Sequence, residues 1–171
     1  MPHSQPAHRS RGRRNLAVIG AGVAACATVG SLLTDPQSSW YQRLKKPSWQ
    51  PPNAALPIVW TSLYAIVAVS AARAVTRLET QGRDAEASGF RRELTKNLLL
   101  NAGWCGLFFR AHNLPVSTAG AAALAASSAK LALRAGSVSK ASALGLGAYT
   151  AWCTFATALS AKLAALNPDD E

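Results

Sequence analysis

The chain has 171 residues, 49% hydrophobic and only 15% charged, with a net charge of +10. So few charges are unusual for a water-soluble domain. The three cysteines, Cys26, Cys105 and Cys153, fall in apolar runs without CxxC spacing, which argues against a disulfide framework or a zinc site and for buried free thiols.

Residues 1–15 are rich in Arg, contain Ser and lack acids; they are expected to form a disordered basic tail. A signal peptide or an organellar transit peptide would open in a similar way, and Val23-Ala24-Ala25-Cys26 imitates a lipoprotein cleavage site. An uncleaved first helix over the charge-free run Leu16 to Thr34 is the simpler reading. Within it, Gly20-x-Gly22-x-x-Ala25 imitates a dinucleotide fingerprint. That motif needs a preceding strand, a βαβ unit and an acid about 20 residues on. Here the next acid is Asp35, followed by Pro36 and a polar loop, so small residues for close helix contact explain the stretch better.

The loop that follows contains "WYQRLKKPSWQPP" (residues 40–52), a cluster of aromatic, basic and proline residues. Three prolines forbid a continuous helix and stiffen the loop. Trp40, Tyr41 and Trp49 suit a membrane–water interface, while Arg43, Lys45 and Lys46 could attract the carboxylates of an amphiphilic ligand. The segment therefore reads as a lid.

Four further helices are predicted: Leu56 to Leu78, Leu94 to Phe109, one ending near Arg134, and Ala141 to Leu166. The polar stretch "ETQGRDAEASGFRRE" between the second and third is expected to be helical in places. A bilayer core of roughly 30 Å needs about 20 helical residues. Four of the charge-free runs meet that length, and the fifth does so if Lys96 snorkels. A soluble helix would show a polar stripe at the 3.6-residue period, and these runs carry no charge on any face. The expected class is an all-α membrane protein, a five-transmembrane-helix bundle spanning 16–167, followed by an acidic tail at 168–171.

With the N-terminus in the cytoplasm, the basic residues divide unevenly. Arg9 to Arg14, Arg73 to Lys96, and Lys130 to Lys140 lie on the cytoplasmic side. Arg43, Lys45, Lys46, Arg110 and Lys162 lie on the other. This is the positive-inside pattern, so the basicity is topology, and no nucleic-acid partner is expected.

Three helices each align a Trp with a hydrogen-bonding group at helical spacing. Trp60 and Tyr64 share a face of the second, and Asn101, Trp104 and Cys105 a face of the third. Tyr149, Trp152, Ala156 and Ser160 fall in line on the fifth. An Asn at membrane depth is costly without a partner and usually points into the bundle. Together the three faces favour a pocket; taken singly, each residue could simply pack between helices. No GxSxG, HExxH, P-loop or carboxylate pair occurs, so no catalytic residue and no metal are expected.

The runs "WYQRLKKPSWQPPNAALPIVWTSLY", "LLLNAGWCGLFF" and "YTAWCTFATALS" resemble the TspO/MBR family, also called translocator proteins or tryptophan-rich sensory proteins. All five tryptophans, Trp40, Trp49, Trp60, Trp104 and Trp152, stand where the family pattern has them. The resemblance implies a homodimeric five-helix bundle in lipid that binds porphyrins, heme-type or other tetrapyrroles, or sterols, in a pocket closed by the first loop. It implies transport, sensing or regulation of tetrapyrrole metabolism; the alternative is an enzyme-like photo-oxidative breakdown of protoporphyrin by the pocket tryptophans.

The ligand-binding residues expected on these grounds are Trp40, Tyr41, Trp60, Tyr64, Asn101, Trp104, Tyr149, Trp152, Ala156 and Ser160, with Trp60 and Trp152 flanking a flat ligand. Ala102 and Gly106 form a small-xxx-small pair expected at a dimer contact. Departures from the family pattern are Ala148 before Tyr149, Arg110 after the Phe pair, and Val116. They favour a bacterial-type tetrapyrrole partner over a sterol, and a bacterial cell membrane (an organellar one in a eukaryote).

Overall fold

The computed structural model describes residues 5–168, with side chains from residue 9 onward. The described residues form six helices and no strand: α1 (Gln5–Leu33), α2 (Ser39–Arg43), α3 (Ala55–Thr80), α4 (Asp84–Phe109), α5 (Leu114–Gly136) and α6 (Lys140–Leu166). Three of these, α1, α3 and α5, are long and apolar enough to cross a membrane. The other two long helices match them in length, but α4 is charged over its first half and α6 is diluted with Gly, Ser, Thr and Tyr.

The five long helices close into a ring, α1–α3–α6–α5–α4 and back to α1, with α3 also touching α4 across the middle. Each link follows from a short connection or a small-residue contact. Ser139 caps α6 by accepting from the Ser142 amide at 3.2 Å. Asn113 caps α5 by accepting from the Val116 amide at 2.9 Å, with Pro115 in the first turn. Gly145 of α6 lies so close to Ser70 and Ile66 of α3 that a side chain there would overlap them.

Two expectations need correction. Residues 5–15 are helical rather than disordered, and the polar side chains at the C-terminal end of that stretch are tied down. Asn15 donates to Glu79 at 2.8 Å and to Thr76 at 3.0 Å, and Arg14 lies 3.6 Å from the Glu79 carboxylate. Arg91 of α4 completes the cluster by pairing with Glu79 and donating to Asn15 at 3.2 Å.

The second correction concerns α4, which begins at Asp84 instead of Leu94. Gly82, at φ 70°, ends α3 in the left-handed region. Asp84 and Glu86 then occupy the first turn of α4, where the helix dipole favours acids. Ala87 and Phe90 bury that first half against the bundle.

The ion pairs put the start of α1, the end of α3 and the start of α4 at one basic end. Arg77 donates to the Val138 carbonyl at 2.8 Å and brings the α5–α6 turn there too. The opposite end carries α2 and the aromatic loop. Val18–Cys26 lies wholly inside α1, which leaves no strand–turn–helix for a dinucleotide. Arg110 donates to the Leu32 carbonyl at 2.9 Å and so caps α1. Residues 169–171 of the expected acidic tail, and 1–4 of the basic one, lie outside the described residues.

Candidate functional site

The loop after α1 is pinned at the aromatic end by its own side chains. Ser38 caps α2 by accepting from the Tyr41 amide at 3.3 Å. Trp40 stacks on His112 (centroids 4.2 Å apart, planes 18° apart) and meets the edge of Phe108 at 5.5 Å. His112 holds the left-handed φ of 54° that turns α4 into α5, so it serves as a seat for the lid.

Tyr41 is buried and donates to Asn53 at 3.3 Å while accepting from Gln50 at 3.2 Å. Burial pushes its phenol up, and the Gln50 bond opposes that shift. Lys46, expected to face ligand carboxylates, instead donates to the carbonyls of Tyr41 (2.5 Å) and Leu44 (3.1 Å) and lies 4.6 Å over the Tyr41 ring. Burial lowers its pKa.

Beneath this lid lies a small cavity of about 60 Å³ with an aromatic wall. Six of the ten expected residues line it: Tyr41, Trp60, Trp104, Trp152, Ala156 and Ser160. They arrive from α2, α3, α4 and α6, where helical spacing had aligned them. Trp60 and Trp152 do not form a slot: their rings meet edge to face at 6.3 Å and 88°. The edge of each quadrupole prefers the face of the other, so in this conformation the pair closes on itself. Trp49 stays 46% exposed and touches only the rim through Phe155, at 5.6 Å.

Three lining residues carry a buried polar atom with no partner: Gln50 Oε1, Trp104 Nε1 and Trp152 Nε1. Buried N–H and C=O groups are otherwise almost always paired.

The other expected residues lie elsewhere. Trp40 belongs to the seat of the lid. Tyr64, Asn101 and Tyr149 are spent on one another in a buried chain that runs under Trp60. Tyr64 donates to Asn101 Oδ1 at 2.7 Å, Asn101 Nδ2 to Tyr149 Oη at 3.0 Å, and Tyr149 to Asn97 Oδ1 at 3.2 Å. Asn97 Nδ2 then reaches Ser128 at 3.0 Å and Ser127 at 3.2 Å on α5. Low dielectric makes these bonds worth keeping, since an unpaired Asn there would be costly. The chain is a spine that joins α3, α4, α5 and α6, and Tyr64, Asn101 and Tyr149 lie outside the cavity lining.

Sequence reasoning missed Asn97, whose spacing of four from Asn101 puts it on the same face. It also missed Gln50 and Phe155. Nor did it single out Asn167, whose Oδ1 accepts from the Lys45 amide at 2.8 Å and whose Nδ2 donates to the Lys45 carbonyl at 3.0 Å. This clasp fastens the lid to the end of α6. Gly106 faces Leu33 of α1, 3.7 Å from where a Cβ would stand, so this glycine serves packing within the chain; the glycine of α4 that faces open space is Gly103.

Protein CrtK of Rhodobacter capsulatus is 32% identical over 148 residues, covering 86% of this chain and 89% of that protein. A tryptophan-rich sensory protein of Cereibacter sphaeroides is 39% identical over 90 residues, about half of each chain. The tryptophan-rich protein TspO of Chlorobaculum tepidum is 29% identical over 159 residues, covering 91% of this chain and 99% of that one. The sequence model of the TspO/MBR family matches residues 17–166. With tryptophans from α3, α4 and α6 converging under a proline-stiffened loop, the chain belongs to the TspO/MBR family of membrane proteins.

Proposed function

We propose that this protein binds porphyrins or related tetrapyrroles in the aromatic cavity under the α2 lid and acts in their transport, sensing or regulation. In this reading all five long helices cross a bacterial cell membrane, the basic end is cytoplasmic, and the protein works as a homodimer.

The observation that carries the reading is the set of unpartnered atoms in the cavity wall: two indole N–H donors and one amide oxygen among aromatic rings. An occupant with acceptors, a donor and a flat π face relieves the desolvation cost of all three. A tetrapyrrole offers carboxylate or carbonyl acceptors, pyrrole N–H donors and the flat face. A sterol offers one hydroxyl and no π face, which matches the wall less well.

Sites for ligands of this size run to roughly 300–1,000 Å³, against about 60 Å³ here. Entry therefore requires the lid to lift and the Trp60–Trp152 contact to open. Equilibrium titration with protoporphyrin, heme and cholesterol, read by tryptophan quenching, tests the proposal. Binding in the order tetrapyrroles over sterol supports it; sterol binding as tight as protoporphyrin binding sinks it. Reporter fusions that put both termini on one side of the membrane would refute the five-span topology.

A further inference from the structure

A second concavity lies on the outer face of the bundle, between α4 and α5. It is open, has a volume of about 460 Å³, and is lined by Lys96, Leu99, Leu100, Gly103, Trp104, Leu107 and Gly120. These residues follow the helical repeat along α4, with Gly120 of α5 closing the far end. Its floor is Gly103, where an added Cβ would meet nothing within 4 Å. Its walls include Leu99, 68% exposed, and Leu100. Such apolar exposure in a membrane-family protein is a surface for lipid.

Two features make the groove more than a generic lipid-facing surface. The first is its length: Lys96 to Leu107 is eleven residues, about 16 Å at 1.5 Å per residue. That matches one leaflet of a hydrocarbon core of roughly 30 Å. On α5 the ten residues from Lys130 to Gly120 run alongside for about 15 Å.

The second feature is charge. At the mouth, Lys96 and Lys130 share a single acid, Glu93, at 4.0 and 3.2 Å. Both lysine side chains are well exposed, and Arg134 also acts on Glu93, so positive charge is in excess where a headgroup would lie. At the blind end Trp104 and Leu107 pack toward Gly120, whose Cβ would stand 3.4 Å from Leu107.

We infer that this groove is a binding site for one anionic phospholipid, with its phosphate at Lys96 and Lys130 and an acyl chain laid over Gly103 to end against Trp104. The site is independent of the tetrapyrrole reading, although Trp104 is a wall of both cavities.

The full chain, reconstituted in phosphatidylcholine bilayers, would be titrated with phosphatidylglycerol brominated in mid-chain. The Trp104 signal is the difference between the wild type and Trp104→Phe. Quenching of Trp104 should saturate at a low mole fraction of phosphatidylglycerol, while brominated phosphatidylcholine should quench only in proportion to its amount. Lys96→Gln should weaken the phosphatidylglycerol response about fivefold, the effect of one basic residue near a charged surface. Gly103→Leu, which fills open space, should abolish the saturable component with helicity unchanged by circular dichroism.

Equal quenching by the two lipids, or an unchanged response in either variant, would overturn the site. So would efficient disulfide dimerisation of Leu99→Cys in bilayers, which would seat a second copy of the chain in the groove.

Discussion

Replacing Asn167 with Ala should loosen the lid while leaving the cavity wall intact. The side chain makes two bonds to the Lys45 backbone, at 2.8 and 3.0 Å, and a third to the Leu163 carbonyl within its own helix. Only the first two hold the lid. Each is worth roughly 0.5–1.5 kcal/mol net. Lys45 is exposed, so water takes over part of the loss, and the change comes to about 1–2 kcal/mol. That is roughly a 5- to 30-fold increase in the open population.

Hydrogen exchange should show it directly, as faster exchange across residues 44–54 and no change in α4 or α5. Stopped-flow quenching by protoporphyrin should show association and dissociation accelerated together, by up to the same factor. Unchanged exchange would mean that the Trp40–His112 stack and buried Tyr41 hold the loop without help from Asn167. Faster exchange with an unchanged association rate would mean that ligand enters by a path other than the lid.

Other perturbations separate wall, spine and rim. Trp60→Ala and Trp152→Ala should each weaken protoporphyrin binding by roughly 30- to 160-fold, about 2–3 kcal/mol of lost ring burial and stacking. Trp49→Ala, at the exposed rim, should change it little; equal losses in equilibrium titrations would put the ligand at the membrane surface. Asn101→Leu should lower the thermal midpoint in detergent, because it orphans the Tyr64 hydroxyl at a cost of about 1–3 kcal/mol. Adding Tyr64→Phe should recover part of that loss, and a strictly additive double variant would argue against the spine. Gly145→Val should destabilise by about 1–3 kcal/mol through overlap with Ser70 and Ile66. Gly147→Ala, where nothing lies within 4 Å, is the neutral control in the same unfolding measurement.

The long helices and the cavity tryptophans were legible because burial in a bundle imposes a 3.6-residue repeat, and Trp60, Trp104 and Trp152 keep it. The lid was legible from its prolines and aromatics. Which polar residue faces ligand and which faces another helix was not. Tyr64 and Tyr149 share their faces with the tryptophans, and a rotation of a few tens of degrees decides between cavity and spine. Local pattern does not contain that rotation; it is set by packing such as Gly145 against Ser70. Lys46 was misread for a related reason, since a flexible ammonium goes to the nearest unpaired carbonyls, here those at the end of α2. The start of α4 was missed because its charged first half looks like a loop, until Ala87 and Phe90 are seen to need a partner surface.

The spine also has a consequence for biogenesis. Helix α4 is not among the three helices long and apolar enough to cross a membrane, and it carries the buried Asn97 and Asn101. When α4 leaves the ribosome, Tyr64 has already been made, but Ser128 and Tyr149, which complete the pairing, have not. Until α6 is synthesised, α4 holds half-satisfied amides. On the proposed five-span topology, α4 waits in the translocon, or at the membrane surface, for the C-terminal hairpin. A ribosome stalled before residue 149 should leave α4 extractable by alkali, and one stalled after residue 166 should not.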